Sequence, residues 1–573
     1  MTGPRFDIRE IPFSYHGSWF GISPVVRQGT IATDLYLVSH QTGMHPVLAL
    51  RPCTRDGDRV DTGIEACASM VSWVHESGRI DLVYQDTDTV RLRGSGLALR
   101  VDAAETVLTP FSGTYLYRDP VTGAHVFTSY ETGRRYRVTV LDGLVAETHG
   151  TQALGHAGRG VTIASDTRLW EITIEEHDAA RPPRATTTTF EAAATASAAA
   201  FGAFLDAVAP WRSGRTPAAD LAAYVLWSAT VRPGGMVTRP AVLMSKHWMD
   251  KVWSWDHCFN ALALAEGRPR LAWEQFQLVF DHQDAAGALP DSIAHSEVLY
   301  NFVKPPIHGW TLSGLRQTMP DLPDEEIVQT YRRLERWTHY WLDHRRARGS
   351  DLAHYHHGND SGWDNATTFD QGGVVESADL AAFLVLQLRE LAALAPLAGH
   401  PDAARCWSDR AELMLKAMIE QLWTDGRFAA RAVESGRTSN GASLLGLMPI
   451  ALGDLLPVEI HTALAEEIRQ HLTPYGLATE RVTSPRYEAD GYWRGPIWAP
   501  STVLVEDGLR RAGHTRLADE ISRRFRELCE VSGFAENFDA LTGTGQRDRA
   551  YTWTASGYLI LAAAAERRRA DRS

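Results

Sequence analysis

Apolar and polar residues alternate with a period of two up to residue 188, in short runs separated by turn dipeptides. The segments 89–102 (TVRLRGSGLALRVD), 134–143 (RRYRVTVLDG) and 168–177 (RLWEITIEEH) show this pattern. Such alternation is typical of half-buried β-strands. Many short strands without helical patterns between them favour an antiparallel sandwich over a parallel sheet. We therefore predict an N-terminal all-β sandwich domain over residues 1–188.

The pattern changes abruptly after this region. RPPRATTTT at 181–189 is rich in proline and threonine, and the alanine-rich stretch EAAATASAAAFGAFLDAVAP follows it. Alanine is the strongest helix former, whereas clustered proline and threonine interrupt regular structure. We predict a linker over 189–214 that contains a connecting helix at 189–209, which ends before Pro210.

From residue 215 onward the apolar spacing is helical, and we predict a second, all-α domain over 215–573. The expected helices are 217–230, 256–267, 269–285, 309–318, 324–346, 376–397, 400–423, 441–452, 457–472, 497–512, 514–532 and 553–569. Their sequences do not visibly repeat, and short and long connections alternate. Twelve helices wound as six hairpins would form a double-layered ring with the long loops gathered at one end as a pocket.

Composition narrows the class of partner. The 573 residues include 70 acidic and 57 basic ones, a net charge of −13, and no basic stripe of the kind that follows a phosphate backbone. We therefore expect no nucleic-acid partner. The longest apolar runs, such as LILAAAA at 559–565, are too short to cross a bilayer, and the first residues lack an apolar signal segment. Five scattered cysteines without metal-ligand spacing favour reduced thiols, and hence a cytoplasmic location.

Four long-loop segments carry candidate chemistry. The first, WMDKVWSWDHCFN at 248–260, places Trp253, Trp255 and Asp256 just before a helix. Asp256 has two interpretations: it caps that helix, or it grips sugar hydroxyls beside an indole platform.

The second segment, HGNDSGWDNATTFDQGG at 357–373, contains Asp360, Asp364 and Asp370. Its glycines and asparagines indicate a turn rather than a helix, so aspartates here are candidates for turn and cap roles. Asp364, however, directly follows Trp363. An indole wall removes water from a carboxyl group and raises its pKa, as a general acid at neutral pH requires.

The third segment, YEADGYWRGPIWAPST at 487–502, offers aromatic surface from Tyr492, Trp493 and Trp498. Core packing accounts for one or two of these rings. It accounts less well for Arg494 followed by glycine and proline, and we expect this arginine to hold a loop carboxylate in place.

The fourth segment, GFAENFDALTGTGQRDRAYTWTASG at 533–557, puts Glu536 and Asp539 in a glycine-rich loop before the last helix. A solvated loop acid is the simple interpretation of either residue alone. Together the four segments supply well-separated carboxylates framed by tryptophan. Cleavage of a glycosidic bond requires that combination, because one carboxyl protonates the leaving oxygen while another acts on the opposite face.

Five motifs resemble, in order, those of glycoside hydrolase family 63 and its relatives. They are WSWDHCFNALAL (253–264), KPPIHGW (304–310), GNDSGWDNAT (358–367), GYWRGPIWAP (491–500) and AENFDALTG (535–543). The group includes bacterial and processing α-glucosidases, mannosylglycerate and glucosylglycerate hydrolases, and amylo-α-1,6-glucosidase-like proteins. The resemblance implies an (α/α)6 toroid, inversion at the anomeric carbon, no cofactor and no metal in the chemistry.

The resemblance also implies residue roles. Asp364 falls on the family's general acid, and Glu536 falls on its general base, which activates the attacking water. Substrate contacts are expected from Trp253, Trp255, Asp256, Trp363, Tyr492, Trp493, Arg494 and Trp498. Ala540 stands where relatives often carry proline in the last motif. We further expect Asp364 to be neutral and Glu536 to be ionised in the working enzyme.

These inferences favour an exo-acting, inverting α-glucosidase that acts on a small soluble α-glucoside or oligosaccharide. A trehalase-like enzyme and an α-mannoside hydrolase of the mannosylglycerate type are alternatives within enzymes. A non-catalytic carbohydrate-binding protein on the same scaffold is the alternative outside them, although such a protein would normally have lost one of the two carboxyls. The linkage, the aglycone and the choice between a monomer and a homo-oligomer stay open at this stage.

Overall fold

The computed structural model describes residues 3–151, 154–167, 169–179, 182, 188–439 and 441–572. The chain divides into two compact units. The first comprises Met1–Ala207, Ala223–Lys251 and Ala294–Ser296, and the second comprises Val208–Ala222, Val252–Ile293 and Glu297–Ser573. Residues 181 and 183–187 of the predicted proline- and threonine-rich segment lie outside the described residues.

The first unit contains two large antiparallel sheets, as the period-two pattern predicts. Its main strands are β1 (Arg5–Phe6), β2 (Phe13–Ser14), β3 (Phe20–Arg27), β4 (Thr30–Ser39), β5 (His45–Cys53), β6 (Gly63–Cys67), β7 (Met70–His75), β8 (Gly78–Asp86), β9 (Thr89–Ser95), β10 (Ala98–Ala103), β11 (Val107–Leu108), β12 (Thr114–Arg118), β13 (His125–Ser129), β14 (Arg135–Asp142), β15 (Leu144–His149), β16 (Gly155–His156), β17 (Gly160–Ala164) and β18 (Leu169–His177). One sheet has the order β1-β6-β7-β8-β9-β18-β14-β13-β12, and the other has β15-β17-β10-β5-β4-β3-β2. Strands β11 and β16 form a separate pair.

The core of this unit consists of the inward-facing apolar residues of the strands, with Trp73, Trp170 and Phe20 at 0–1% exposure. Burial of such large rings is a main source of sandwich stability. The segment 89–102 contains two strands, because the chain turns at Gly96, whose φ of 72° lies in the left-handed region. Strand β9 lies in one sheet and β10 in the other.

The helical part confirms the predicted all-α pattern. The α-helices are α1 (Phe190–Val208), α2 (Ala219–Ala229), α3 (Asp256–Leu264), α4 (Pro269–Leu278), α5 (His308–Thr318), α6 (Asp324–His339), α7 (Ala378–Leu394), α8 (Pro401–Leu422), α9 (Val458–Arg469), α10 (Ala499–Arg511), α11 (Thr515–Ser532) and α12 (Thr552–Ala570). A 3-10 helix spans Leu444–Leu455. The remaining strands are short: β19 (Thr230–Val231), β20 (Ala241–Val242), β21 (Val252–Trp253), β22 (Ser292–Ile293), β23 (Val298–Leu299), β24 (His354–Tyr355), β25 (Val375–Glu376), β26 (Trp423–Thr424), β27 (Arg427–Phe428), β28 (Ala430–Ala432), β29 (Thr438–Ser439), β30 (Asn537–Phe538) and β31 (Gly545–Gln546).

Six of these helices close into an inner ring. Helices α3, α5, α7, the 3-10 helix Leu444–Leu455, α10 and α12 pack in that order, and α12 packs back on α3. Helices α4, α6, α8, α9 and α11 lie between successive members of the ring along the chain. Because each of these connecting helices returns the chain, the inner helices all run in one direction. This closed ring is the (α/α)6 toroid that the sequence predicts.

One predicted helix is wrong in type. The segment 441–452 was expected to be α-helical, but the structure has 3-10 turns over Leu444–Leu455. Pro449 lies inside this segment, and Gly453 has non-helical angles of φ 62° and ψ −127°. Proline lacks the backbone N–H of a regular α-helix and clashes with the preceding turn, so the ring is completed here by a tighter, kinked element.

No helix among the described residues is long and apolar enough to span a membrane.

Candidate active site

The candidate residues lie at the end of the ring where the inner helices begin. Asp256 is the first residue of α3, and His308 is the first of α5. Trp498 and Tyr551 are the N-caps of α10 and α12. Because the inner helices run in one direction, the long loops that precede them all meet at this end, as the alternation of long and short connections predicts.

Asp364 follows a 3-10 turn, Gly358–Ser361, that ends at Gly362. Gly362 has a φ of 73°, and a Cβ at this position would lie 2.3 Å from the Trp255 ring. Only glycine adopts this conformation without strain and fits against the indole. Trp363 is then buried, with its ring centroid 4.5 Å from that of Trp493. The turn and the buried indole together place the next residue, Asp364, at the site.

Burial is the main cause that raises the pKa of the partly buried Asp364 carboxyl. Lys304 opposes this shift, and the nearby charge of Asp291 adds to it. The pKa of Asp364 is therefore raised by desolvation, as its position after Trp363 predicts.

Glu536 lies beside a short hairpin formed by β30 and β31. Its backbone N–H donates to the carbonyl of Asp548, and the side chain is 4% exposed. Burial, followed by the charge of Asp548, raises the pKa of Glu536 to about 8, while Arg547 and a hydrogen bond with Tyr492 oppose the shift. A carboxyl in this setting holds its proton at neutral pH when no substrate is bound.

The ionisation of Glu536 in the working enzyme stays a prediction, and the raised pKa of this carboxyl describes the protein without substrate. The sequence showed its glycine-rich loop but not the burial that the hairpin imposes. The pKa values of Asp364 and Glu536 are both raised by burial. The free protein therefore does not hold one of these carboxyls protonated and the other ionised by pKa shifts in opposite directions. Glu536 therefore loses its proton at a higher pH in the free protein than an ordinary carboxyl does.

Asp256 is not a helix cap. Trp255 occupies the N-cap position of α3, and Asp256 is the first helical residue. The Asp256 carboxyl is 4% exposed, and its Oδ2 has no hydrogen-bond partner among the described residues. Burial raises its pKa to about 8, against the attraction of Lys304. A buried, unpartnered carboxyl oxygen at a loop-lined end of the ring is poised to bind a ligand hydroxyl.

The three carboxyl groups belong to one site. Burial raises the pKa of Tyr492, and the charges of Glu536, Asp364 and Asp256 each add to the shift. The charge of Asp364 also acts on Asp256. Each of the three carboxyls therefore lies close enough to Tyr492 for its charge to act on the phenol.

Lys304 supplies the cation of this group. Its Nζ lies 3.1 Å from Asp291 Oδ1 and donates to the backbone oxygen of Asn359 at 2.9 Å. Lys304 begins the KPPIHGW motif, but the sequence alone predicted a site role for neither Lys304 nor Asp291. The signal was present in the KPPIHGW motif, where a lysine precedes two prolines.

Arg494 and Asn365 join the loop of Asp364 to the loop of Tyr492. Asn365 donates from Nδ2 to the Gly491 oxygen and accepts from the Trp493 N–H, both at 3.0 Å. Arg494 Nε donates to the backbone oxygen of Asn365 at 2.8 Å, and Arg494 Nη2 pairs with Asp370 Oδ1 at 2.5 Å. The ion pair from Arg494 to a loop carboxylate that the sequence predicted is therefore present. The Arg494 guanidinium binds loop atoms of Asn365 and Asp370.

The tryptophans pack against one another. Trp255, Trp363, Trp493 and Trp498 are 1–3% exposed, and the Trp493 and Trp498 rings stack at 4.1 Å. Such rings form the wall behind the carboxyls and leave little free surface for a sugar. Trp253 and Tyr492 are the more exposed aromatic members of the predicted set.

Tyr492 and Arg547 have strained backbones. Their φ values of 62° and 60° lie in the left-handed region, which non-glycine residues rarely adopt. Trp498 Nε1 donates to the Tyr492 carbonyl at 2.9 Å, and the Arg547 guanidinium carbon lies 5.0 Å from the Tyr492 ring centroid. Sequence reasoning missed Arg547, because one arginine in the charged stretch QRDR carries no signal of its position.

The other loop aspartates shape the backbone. Asp360 is 1% exposed and accepts hydrogen bonds from Arg345 and from the backbone N–H groups of Val303 and His356. Asp370 pairs with Arg494, and Asp539 accepts from two backbone N–H groups in its own turn. These are the turn and cap roles expected for such residues.

Comparison with known proteins gives consistent matches. Residues 249–554 match the domain family described as mannosylglycerate hydrolase MGH1-like glycoside hydrolase. The mannosylglycerate hydrolase of Rubrobacter radiotolerans is 24% identical over 421 residues, which cover 56% of this chain and 92% of that protein. Mannosylglycerate hydrolase MGH1 of Selaginella moellendorffii is 22% identical over 385 residues, 53% of this chain and 78% of the relative.

Solved structures support the fold. The GH63 mannosylglycerate hydrolase of Thermus thermophilus, in complex with glucose, has a TM-score of 0.52 at 22% identity and covers 59% of this chain and 98% of that one. A bacterial glucoamylase complexed with acarbose has a TM-score of 0.60 at 10% identity and covers 99% of this chain and 96% of its own. The match to the domain family over residues 249–554 identifies the chain as a glycoside hydrolase. The chain belongs to the mannosylglycerate hydrolase MGH1-like glycoside hydrolase family, and its resemblance to glycoside hydrolase family 63 and relatives is confirmed.

Proposed function

We propose that this protein is an exo-acting, inverting hydrolase of small α-glycosides, in which Asp364 is the general acid and Glu536 the general base. The observation that carries the proposal is that Asp364, Tyr492 and Glu536 lie on loops joined by hydrogen bonds, with the charges of Asp364, Glu536 and Asp256 all acting on Tyr492. An inverting glycosidase requires two carboxyls on opposite faces of one sugar, about 6.5–9.5 Å apart, with room for a water. The third carboxyl, that of Asp256, binds hydroxyl groups of the sugar.

The bond-breaking step uses the raised pKa of Asp364. Its protonated carboxyl donates to the glycosidic oxygen, and the bond from the anomeric carbon to that oxygen breaks. The ionised form of Glu536 takes a proton from a water, which attacks the anomeric carbon from the other face. Asp364 is left ionised and Glu536 protonated, and exchange with solvent restores both groups.

Asp256 fits the role of a sugar anchor. Its Oδ2 has no hydrogen-bond partner among the described residues, so a sugar hydroxyl that donates to it satisfies a buried acceptor. Lys304 acts on both Asp256 and Asp364 and limits how far their pKa values rise. Tyr492 and Trp253 are the aromatic surfaces that a pyranose would contact.

For the substrate we favour a mannosyl or glucosyl unit in α-linkage to a short polar aglycone. The matched relatives are named mannosylglycerate hydrolases, which supports an α-mannoside such as mannosylglycerate as the first candidate. The relative solved in complex with glucose supports a glucosyl unit as the second candidate, in line with the α-glucosidase predicted from the sequence.

A substrate panel with product analysis tests the function. We expect release of mannose or glucose from mannosylglycerate, glucosylglycerate or a related α-glycoside, and weaker turnover of trehalose. Proton NMR during the first minutes should show the β-anomer as the initial product. Initial formation of the α-anomer would contradict inversion, and binding without turnover across the panel would favour the carbohydrate-binding alternative.

The assignment of the acid has its own test. Asp364→Asn should lower kcat on natural glycosides about 10²–10⁴-fold, because the leaving oxygen receives no proton. The loss should be much smaller for a nitrophenyl glycoside, whose leaving group needs no proton. Asp402→Asn, which changes an exposed aspartate in the first turn of α8, is the matched control and should keep full activity. Equal losses on both types of substrate would contradict the role of Asp364.

A further inference from the structure

Arg547 acts on three parts of the candidate site: Asn537, the loop of Tyr492, and Glu536. The proposed mechanism gives this arginine no role. It lies at the end of the hairpin beside Glu536, its backbone is left-handed at φ 60°, and its side chain is 26% exposed. A non-glycine residue in this conformation is strained and persists only where the surroundings fix it. The bonds of its guanidinium show what fixes it.

The first bond sets the orientation of the Asn537 amide. Arg547 Nη1 donates to Asn537 Oδ1 at 2.9 Å. A guanidinium has donors only, so the amide must turn its oxygen towards Arg547 and its Nδ2 away. Asn537 is fully buried, and its Nδ2 has no hydrogen-bond partner among the described residues. A buried, unpartnered donor next to Glu536 is placed to bind a hydroxyl of the sugar or the attacking water.

The second set of bonds attaches Arg547 to the loop of Tyr492. Its Nη2 pairs with Asp490 Oδ1 at 2.7 Å and donates to the Asp490 backbone oxygen at 3.2 Å. The guanidinium also lies over the Tyr492 ring, with Cζ 5.0 Å from the centroid. The planar, forked group of arginine can make these contacts and the Asn537 bond together, whereas a lysine ammonium cannot.

The third effect is electrostatic. The positive charge of Arg547 favours the ionised form of Glu536 and so works against the burial that raises the pKa of this carboxyl. Asp490, the ion-pair partner of Arg547, is 73% exposed, so solvent weakens its own field. The Arg547–Asp490 pair therefore still favours the ionised form of Glu536, although the charge of Asp548 opposes that form more strongly.

We propose that Arg547 is a positioning residue that orients the Asn537 amide as a donor into the site, fixes the Tyr492 ring and places a positive charge beside the general base. This inference rests on the proposed role of Glu536. It adds Asn537 as a residue that contacts the substrate or the attacking water.

The pH profile of kcat/KM separates the charge from the geometry. Arg547→Gln removes the charge, and we expect the acid limb of the profile to move to higher pH and kcat/KM at the optimum to fall about tenfold or more. Arg547→Lys keeps a positive charge but loses the fork, so kcat/KM should fall while the acid limb stays near its wild-type position.

The amide orientation is tested without changing the arginine. Asn537→Asp keeps the shape of the side chain and the acceptor for Arg547 but removes the Nδ2 donor. We expect kcat/KM to fall at least about tenfold, and the acid limb to move to higher pH because a second anion lies beside Glu536. This variant decides the question if Arg547→Gln folds poorly, since it preserves the pairing with arginine. Full activity of Asn537→Asp would overturn the proposed donor.

Arg523→Gln is the matched control, because this arginine of α11 pairs with Glu520 and Glu527 away from the site. It should leave both the profile and kcat/KM unchanged. The outcomes separate the two proposals. If Glu536→Gln keeps activity, the proposed function fails; if Glu536→Gln is inactive and the Arg547 and Asn537 variants match the wild type, only this inference fails.

Discussion

At the scale of single residues, the site depends on carboxyl groups that the fold keeps away from water. Asp256 and Glu536 are each 4% exposed, and burial raises the pKa of both to about 8. In the proposed mechanism the general base must lose its proton, and the burial of Glu536 opposes that loss. The charge of Arg547 lowers the pKa of Glu536, and the charge of Asp548 raises it.

The pH dependence of catalysis follows from this residue. Because the folded pKa of Glu536 is about 8 instead of its ordinary 4.5, the ionised fraction grows as the pH rises towards 8. We expect the acid limb of kcat/KM to lie well above pH 4.5 and to extend towards 8. Initial rates at low substrate concentration across the pH range measure this directly. An acid limb at the ordinary carboxyl pKa would show that Glu536 is not the base.

At the scale of elements, each active-site loop is fixed by bonds to another loop. Asn365 and Arg494 connect the Asp364 loop to the Tyr492 loop, and the backbones of Ile497 and Phe538 pair to connect the latter to the Glu536 hairpin. Asp364, the aromatic wall and Glu536 are therefore held in one cross-linked set of loops. Preorganised geometry of this kind is a major source of catalytic rate.

The turn before Asp364 offers a test with an internal control. Gly362→Ala places a Cβ in a left-handed residue and against Trp255, whereas Gly426→Ala, at φ 78°, meets no atom within 4 Å. Gly426→Ala should cost about 1–2 kcal/mol of stability from backbone strain alone and keep activity. Gly362→Ala should cost about 1–3 kcal/mol more through overpacking and should lower kcat.

Denaturant unfolding and kcat measured on the same samples compare the two variants. Equal losses of stability, with kcat intact in Gly362→Ala, would show that the turn does not position Asp364.

The elements also show how far the sequence could predict the structure. Apolar periodicity was sufficient for the strands and for nearly every helix, because each element buries one face locally. It was wrong for 441–452, where Pro449 and Gly453 prevent a regular α-helix within an otherwise apolar run. The motifs located Asp364 and Glu536, but the role of Arg547 and the protonation of Glu536 depend on packing between loops distant in sequence.

At the scale of the whole molecule, buried ionisable groups make stability depend on pH in two opposing ways. Burial lowers the pKa of His308 from 6.5 to about 3, so stability is lost as the pH falls below 6.5, where the unfolded chain takes up the proton. Burial raises the pKa of Asp256 and Glu536, so stability is lost as the pH rises from their unfolded values towards 8.

We therefore expect Asp256 and Glu536, whose pKa values are about 8 in the folded state, to contribute a decrease in Tm as the pH rises from 6.5 to about 8. The double variant Asp256→Asn/Glu536→Gln removes both buried acids. Its Tm should exceed that of the wild type, and the difference should be larger at pH 9 than at pH 5. Differential scanning calorimetry at a series of pH values gives both curves. A difference that is independent of pH would mean that these acids are not protonated in the fold.

The left-handed backbones at Tyr492 and Arg547 have a practical meaning for engineering. Glycine would remove the backbone strain at either position, but it would also remove the side-chain contacts of Arg547 and Tyr492. Those same replacements would remove the Tyr492 ring and the Arg547 guanidinium that holds it, and the proposed function predicts that activity would be lost. Libraries aimed at durability should leave these two codons untouched.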